Sequence, residues 1–207
     1  QSAKKNVIKN IIEEKRAKNE PCYVFFPHEL GRRGSQIINH ISSYANENAT
    51  RIHGRECEVK IIPNTDAAKF CNQYHIQGSN KASIIVWGLF FEDSLIGILS
   101  LGRHPRDSKE IILDRLCFKS DVKVSGGATK LFSYAKKWAV EKNLDKITSF
   151  SDNRWTLGVV YEKMGFVLDC ELGSDYFYAS VKNPMDVKTK QSQKKGSVNC
   201  PAGLTER

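Results

Sequence analysis

Residues 82–91, ASIIVWGLFF, are the longest apolar run of the chain, and the run stops at Glu92-Asp93-Ser94 before a second one begins at 95–101. Two β-branched and aromatic runs joined by a short polar turn specify an antiparallel hairpin. A membrane-crossing helix needs ~20 apolar residues, so nothing here spans a bilayer. The hairpin sits in a regular succession of elements. Val59, Ile61 and Ile62 read as a strand, Pro63-Asn64-Thr65 as a turn whose Thr65 caps a helix over 66–73, and that helix ends near His75. After the hairpin, 111–118 reads as a strand with Ile111, Leu113, Arg115 and Cys117 on one face and Ile112, Asp114, Leu116 and Phe118 on the other. A Gly-bearing turn follows, then a helix over 127–142 with Leu131, Phe132, Tyr134, Ala135, Trp138 and Ala139 inward, a strand over 146–151, a helix over 157–164 and a strand over 176–181. That order predicts an α/β domain, with a mixed central sheet and flanking helices.

The flanks differ from this block. Val7, Ile8, Ile11 and Ile12 predict an amphipathic helix within 3–19, Cys22 and the aromatics after it a strand over 22–26, and Ile37, Ile38, Ile41 and Tyr44 one apolar helix face within 29–54. Past Lys182 the sequence is polar (KTKQSQKKGS), which predicts little fixed structure. The expected organisation is an N-terminal extension over 1–57, a central domain over 58–182 and a flexible basic tail over 183–207. The net charge is +9, of which residues 1–62 carry +4 and 183–207 carry +3 around a nearly balanced centre at +2. Basic flanks suit a polyanionic partner, and equally suit plain solubility. Six scattered cysteines without a CxxC pair, and five histidines without compact spacing, predict free thiols and no metal. The first residues lack the apolar stretch and small-residue cleavage site of a signal peptide, so a cytoplasmic location is the expectation.

Two segments carry candidate chemistry. Lys123-Val124-Ser125-Gly126-Gly127-Ala128-Thr129-Lys130 lies between a strand and a helix, where glycines let backbone N–H groups turn outward and the helix dipole favours phosphate. Such a turn is often merely structural. Tyr161-Glu-Lys-Met-Gly165-Phe166 follows Asp152-Asn153-Arg154-Trp155, and its phenol suits protonation of a leaving group, although a core tyrosine facing Phe166 gives the same pattern. Cys117, flanked by Leu116 and Phe118, reads as an inert buried thiol rather than a nucleophile.

In this order, the basic-x-x-G-x-A loop and Y-x-x-x-G-F resemble the GNAT acetyltransferases, in which the loop holds the pyrophosphate of coenzyme A and the tyrosine sits near its sulfur. His75-Ile-Gln-Gly, Trp87-Gly-Leu-Phe with Leu95-Ile-Gly-Ile, Leu113-Asp-Arg-Leu, Gly126-Gly127 and Ser149-Phe-Ser-Asp152-Asn-Arg-Trp155 resemble the Mom family more narrowly, over about residues 58–181. These are bacteriophage DNA-modification proteins of GNAT-like fold, whose founding activity adds an acyl-derived group to the exocyclic amine of adenine. The block also resembles the C-terminal part of uncharacterised phage proteins, some fused to homing-endonuclease modules. Lys123 stands where Arg or Gln is usual.

The resemblance implies a GNAT-like mixed sheet, acetyl-CoA or another acyl-CoA held by residues 123–130, and DNA as partner. It places functional residues at His75, Arg115, Asp152 and Tyr161. His75 would accept a proton from a substrate amine. Asp152, at a strand's C-terminal end, would orient the amine or act as base, with a helix cap as the plain alternative. Arg115, in an apolar strand, needs a partner, and Asp152 is the expected one. Trp155, with Arg154 beside it, would stack on an extruded base or serve in packing. Two other readings stand beside the DNA-modifying enzyme: a non-catalytic DNA-binding module of a mobile-element protein, and an acetyltransferase for a protein or small molecule.

Overall fold

The computed structural model describes residues 7–45, 48–80, 83–156, 158–172, 177–180, 182–183, 185–189 and 204–206. In chain order these form α1 (Val7–Ala17), α2 (Pro27–Ala45), β1 (Thr50–His53), a 3-10 turn (Gly54–Glu56), β2 (Glu58–Ile61), α3 (Asn64–Tyr74), β3 (Ser83–Phe91), β4 (Ser94–Arg103), β5 (Glu110–Phe118) and β6 (Val122–Ser125). There follow α4 (Gly127–Glu141), β7 (Lys146–Thr148), α5 (Val159–Met164), β8 (Phe177–Ser180), β9 (Val187–Thr189) and β10 (Leu204–Glu206). They fall into two compact units, Ser35–Phe166 and the pair Gln1–Gly34 with Val167–Arg207. The division falls next to Arg33, where α2 is interrupted by non-helical backbone.

The larger unit is built on a five-stranded sheet in the order β2-β3-β4-β5-β7, antiparallel except for the last pair, so the expected mixed sheet is what the chain adopts. The predicted hairpin is β3–β4, closed at Phe91↔Ser94 by Glu92 and Asp93, both at positive φ (45° and 62°). Two such residues give the local twist a two-residue hairpin needs. Neighbouring β3 residues feed opposite layers: Trp87 and Leu89 join Leu131, Phe132 and Ala135 of α4, whereas Val86 joins Ala67, Phe70 and Cys71 of α3. Two helices thereby cover the two faces. Leu131, fully buried, contributes about 1.5–3 kcal/mol by leaving water.

Several expectations are corrected. Thr65 does not cap α3; Pro63 holds that position, and no side chain bonds there. Tyr134 is 38% exposed rather than inward, with the Lys137 ammonium over its ring. Strict alternation along β5 fails because the pairing with β4 jumps from Ser100↔Arg115 to Leu101↔Leu113. Asp114 is thus the extra residue of a bulge, and a bulge re-aims side chains beyond it. Ile111 and Leu113 stay on the α4 face, which Leu116 and Phe118 rejoin, while Cys117 lies on the α3 face. The segment read as a Gly-bearing turn contains β6, which pairs in parallel with β1.

In the smaller unit, 22–26 is not a strand; Phe26 packs edge-on against Phe177 at 5.0 Å between ring centroids, which accounts for the aromatic run without a ladder. α1 forms as expected, yet of its four apolar residues only Ile12 is buried. β8 does not complete the large sheet. It pairs instead with β9 and β10 in a separate antiparallel sheet, so part of the segment beyond Lys182 is ordered as strand. Residues 1–6, 157, 176, 181 and 190–203, on which parts of the expected helices, last strand and tail fall, lie outside the described residues.

Candidate functional site

The only parallel pair of the large sheet is short. β5 and β7 are in register at Glu110↔Lys146, Ile111↔Ile147 and Ile112↔Thr148, after which a single side-chain bond, Ser149 Oγ to the Leu113 carbonyl at 3.2 Å, still links them. No further pairing between β5 and β7 is found among the described residues, so the second half of β5 lies beyond the parallel ladder, towards the carboxyl ends of the strands, where α/β sheets commonly bind ligands.

On one side of β5 lies the loop into α4. Gly126 takes the left-handed conformation (φ 75°) at the helix N-cap, no side chain caps the helix, and a Cβ built on Gly126 would meet nothing within 4 Å. The first N–H groups of an α-helix have no intrahelical acceptor, so this end is open to an anion. Gly127, by contrast, is buried against Val124 and Phe118, where a Cβ would come within 2.7 Å of Val124 Cγ1. It serves packing. Ala128 is half-buried against the main core, Thr129 is exposed, and the Lys130 ammonium donates to the Cys57 carbonyl rather than facing the helix end.

Two further groups of predicted residues are each drawn together. At the turn after α3, the His75 N–H donates to the Cys71 carbonyl, the Gln77 N–H donates to His75 Nδ1 at 3.1 Å, and Arg115 Nε reaches across from β5 to the Gly78 carbonyl at 2.8 Å. His75 Nδ1 is thereby engaged within its own turn. Arg115 also donates to the Asp114 carbonyl at 2.7 Å. The expected Arg115–Asp152 pair is absent, because Asp152 is engaged by Arg154 through Nε and, at 2.7 Å, through Nη2. Asp152 Oδ1 further accepts the Arg154 N–H, and its carbonyl accepts the N–H groups of Trp155 and Thr156, so it organises a tight turn. The Arg154 guanidinium covers one face of Trp155, 4.8 Å from the ring centroid. Tyr161 packs its ring edge-on against Phe166 at 5.6 Å.

Asp114 carries no functional signal in the sequence. Its carboxylate lies over Gly102, where a Cβ would fall 1.8 Å from Oδ2, and Oδ2 itself is buried with no hydrogen-bond partner among the described residues. Burial pushes the Asp114 carboxyl above the usual range, opposed by a hydrogen bond with Asn80 and by the Arg115 charge. No periodic signal marks it, since its environment arises from the bulge. A cavity of about 10 Å³ under α3, lined by Ser79, Asn80, Ser100 and Arg115, has room for one water-sized group. A nucleobase does not fit there.

Burial pushes the Cys71 thiol up to about 11 and raises Cys117 still further. Neither is a nucleophile at neutral pH. Alkylation of the native protein with iodoacetamide is expected to label exposed Cys170 and to leave Cys71 and Cys117 unmodified until denaturant is added. Peptide mass spectrometry reads this directly, and rapid native labelling of Cys117 would overturn the assignment. Among the described residues, no group of three or more His, Cys, Asp or Glu side chains is placed to hold a metal ion, and no helix is long and apolar enough to cross a membrane.

No curated protein matches the chain. Among solved structures it is similar to an aminoglycoside acetyltransferase from an uncultured soil metagenomic sample in complex with trehalose, at 12% identity over 59% of this chain and 95% of that one, with a TM-score of 0.46. It is also similar to a ribosomal-protein-alanine N-acetyltransferase from Brucella melitensis biovar Abortus 2308, at 15% identity over 57% and 97%, TM-score 0.46. A third is an aminoglycoside N-acetyltransferase in complex with CoA, at 10% identity over 57% and 92%, TM-score 0.43. The family model of the Mom protein family matches residues 56–202, which contain β5 and β7, the loop into α4 and the Asp152 turn. With well over half of its length inside that match, the chain belongs to the Mom protein family.

Proposed function

We propose that the protein is an acyl-CoA-dependent transferase that modifies an exocyclic amine of a DNA base, adenine foremost. One observation carries the coenzyme part: the N-terminus of α4 has no side-chain cap and starts behind a left-handed Gly126 with open space above it. Backbone N–H groups from Gly127 onward and the half-buried Lys123 suit a pyrophosphate. Acyl-CoA supplies an activated thioester when bound. Asp152, which lies in the turn beyond β7 rather than at a strand end, would take the proton of the substrate amine, and the Tyr161 hydroxyl would supply one to the leaving thiolate. His75 and Arg115 orient the acceptor. Trp155 would stack on an extruded base, a role that membership of the Mom family and the basic flanks support.

Gly126→Asp tests the coenzyme site with little risk to the fold, because Asp is among the non-glycine residues that best tolerate left-handed backbone and it favours helix N-termini. Its carboxylate would occupy the N–H groups that a phosphate needs. Calorimetry is expected to show coenzyme A affinity falling ~10-fold or more, with thermal stability unchanged or higher. Unchanged binding would remove the loop from the site. The second reading, a DNA-binding module without catalysis, draws on the core-like packing of Tyr161. It predicts duplex binding by a protein that ignores coenzyme A altogether.

A further inference from the structure

Asp114 takes no part in the proposed proton transfers, yet the sheet is built around it. Gly102, in the neighbouring strand β4, is buried and pairs with Ile112, and a Cβ there would fall 1.8 Å from Asp114 Oδ2 and 2.6 Å from Asp114 Cγ. Only a glycine admits the carboxyl at that place. A glycine inside a strand weakens it, and a buried carboxyl oxygen without a hydrogen-bond partner among the described residues, as Oδ2 is, adds to the cost. Sequences break such local rules where a group has a task. The carboxyl's hydrogen bond is with Asn80, and Arg115, next in the chain, donates from Nε to the Gly78 carbonyl at 2.8 Å. β5 thereby holds at two points a segment, 75–80, that is neither helix nor strand. The same segment closes on His75: the Gly78 N–H donates to the His75 carbonyl at 2.9 Å, and the Gln77 N–H donates to His75 Nδ1 at 3.1 Å. Ile76, 8% exposed, anchors the turn between them.

We infer that Asp114 is a positioning residue of the acceptor site, fixing through Asn80 the turn that carries His75, with Gly102 as the space reserved for it; this rests on the transferase reading, in which His75 orients the acceptor. The guanidinium beside it bonds the carbonyls of Gly78 and Asp114, which leaves the Asp114 carboxyl a hydrogen-bonding task rather than an ion pair. Burial, which raises the pKa of that carboxyl, acts in the same direction. An amide of the same shape does the same work, and a methyl group does not. Gly102→Ala is an independent handle, because it displaces the carboxyl and leaves its chemistry intact.

The test reads His75 directly in the full chain, by long-range nitrogen–proton NMR spectra of its imidazole, assigned by the signal lost in His75→Gln. Modified nucleoside, measured by mass spectrometry, gives activity. Asp114→Ala and Gly102→Ala are each expected to shift or broaden the His75 signals and to lower modification by ~10- to 100-fold, the scale for a misplaced group. Asp114→Asn is expected to keep both near wild type. The double variant Gly102→Ala with Asp114→Ala is expected to be no worse than either single change, since the new methyl group enters space the carboxyl has left. In a His75→Gln background, Asp114→Ala is expected to cost no further activity, because the two residues act through one path. Unchanged His75 signals in Asp114→Ala and Gly102→Ala overturn the inference whatever their urea midpoints, and so does a further large loss of activity in the His75→Gln background. Should Asp114→Ala fail to fold, Gly102→Ala reads the same displacement. A wild-type protein that modifies no DNA overturns the transferase reading, and the spectra alone then decide whether Asp114 fixes His75.

Discussion

Gly54→Val is expected to destabilise the protein by roughly 2–3 kcal/mol and to weaken coenzyme binding in whatever fraction remains folded. The reason is the identity of the obstructing atoms. At Gly102 the atom in the way of a Cβ belongs to the Asp114 side chain, which can rotate aside. At Gly54 the obstructing atoms are backbone atoms of Gly126 and Gly127, held by β6 on one side and α4 on the other. No rotamer change clears them, so either β1 and its turn lift from β6 or the loop moves from its place at the head of the helix. The first opens the core around Ile52 and the second displaces the N–H groups offered to phosphate. Urea denaturation measures the first consequence and calorimetry the second. A Gly54→Val protein with wild-type midpoint and wild-type coenzyme affinity would show that the turn and the loop are not mechanically joined.

The physics behind this coupling also marks the boundary of what the sequence discloses. The hairpin is legible because its signal is local: two apolar runs and a two-residue polar turn that takes positive φ. α3 and α4 are legible for the same reason, since their apolar residues recur at helical spacing over two or more turns. β1 and β6 are four residues each and lie some seventy positions apart, and TRIH and VKVS each resemble a polar loop until Ile52, Val122 and Val124 are seen to share one core. Pairing at that separation leaves no periodic trace. Cys22 to Phe26 shows the converse, a strand-like composition that serves an aromatic cluster.

The site divides along the same line. The loop glycines and the Asp152-Asn153-Arg154-Trp155 segment are visible as motifs because the bonds that shape them are short-range, from Gly126 to Lys130 and from Asp152 to Thr156. Which charge meets which is not visible. The need of a buried cation for a partner points Arg115 to Asp152, but Gly78 and Asp114 supply carbonyls at 2.8 and 2.7 Å, while Arg154, two residues away, engages Asp152. Asp114 gains its position only because β5 carries one residue more than β4 at that point, a count that sequence patterning does not contain.

Asp152→Asn and Tyr161→Phe are each expected to reduce modified nucleoside by ~100-fold or more, the usual scale for a positioned acid or base, while leaving the protein folded and able to bind coenzyme. The two substitutions are chosen to separate these roles from a purely architectural one. Asn keeps the acceptor oxygen that receives the Arg154 N–H and the backbone carbonyl that receives Trp155 and Thr156, so the turn survives; what is lost is the carboxylate charge. The ion pair with Arg154 is about a quarter exposed on each side, and such pairs contribute about 1 kcal/mol or less to folding. Phe at 161 keeps the ring that packs on Phe166 and removes only the hydroxyl. Mass spectrometry of nucleosides from DNA of cells expressing each variant gives the activity, and thermal melting with and without coenzyme A gives folding and binding. Near-normal modification by both variants would sink the proton-transfer scheme. A collapse of the fold in Asp152→Asn would return that residue to the turn it shapes, and the same result in Tyr161→Phe would leave the tyrosine as part of the core against Phe166.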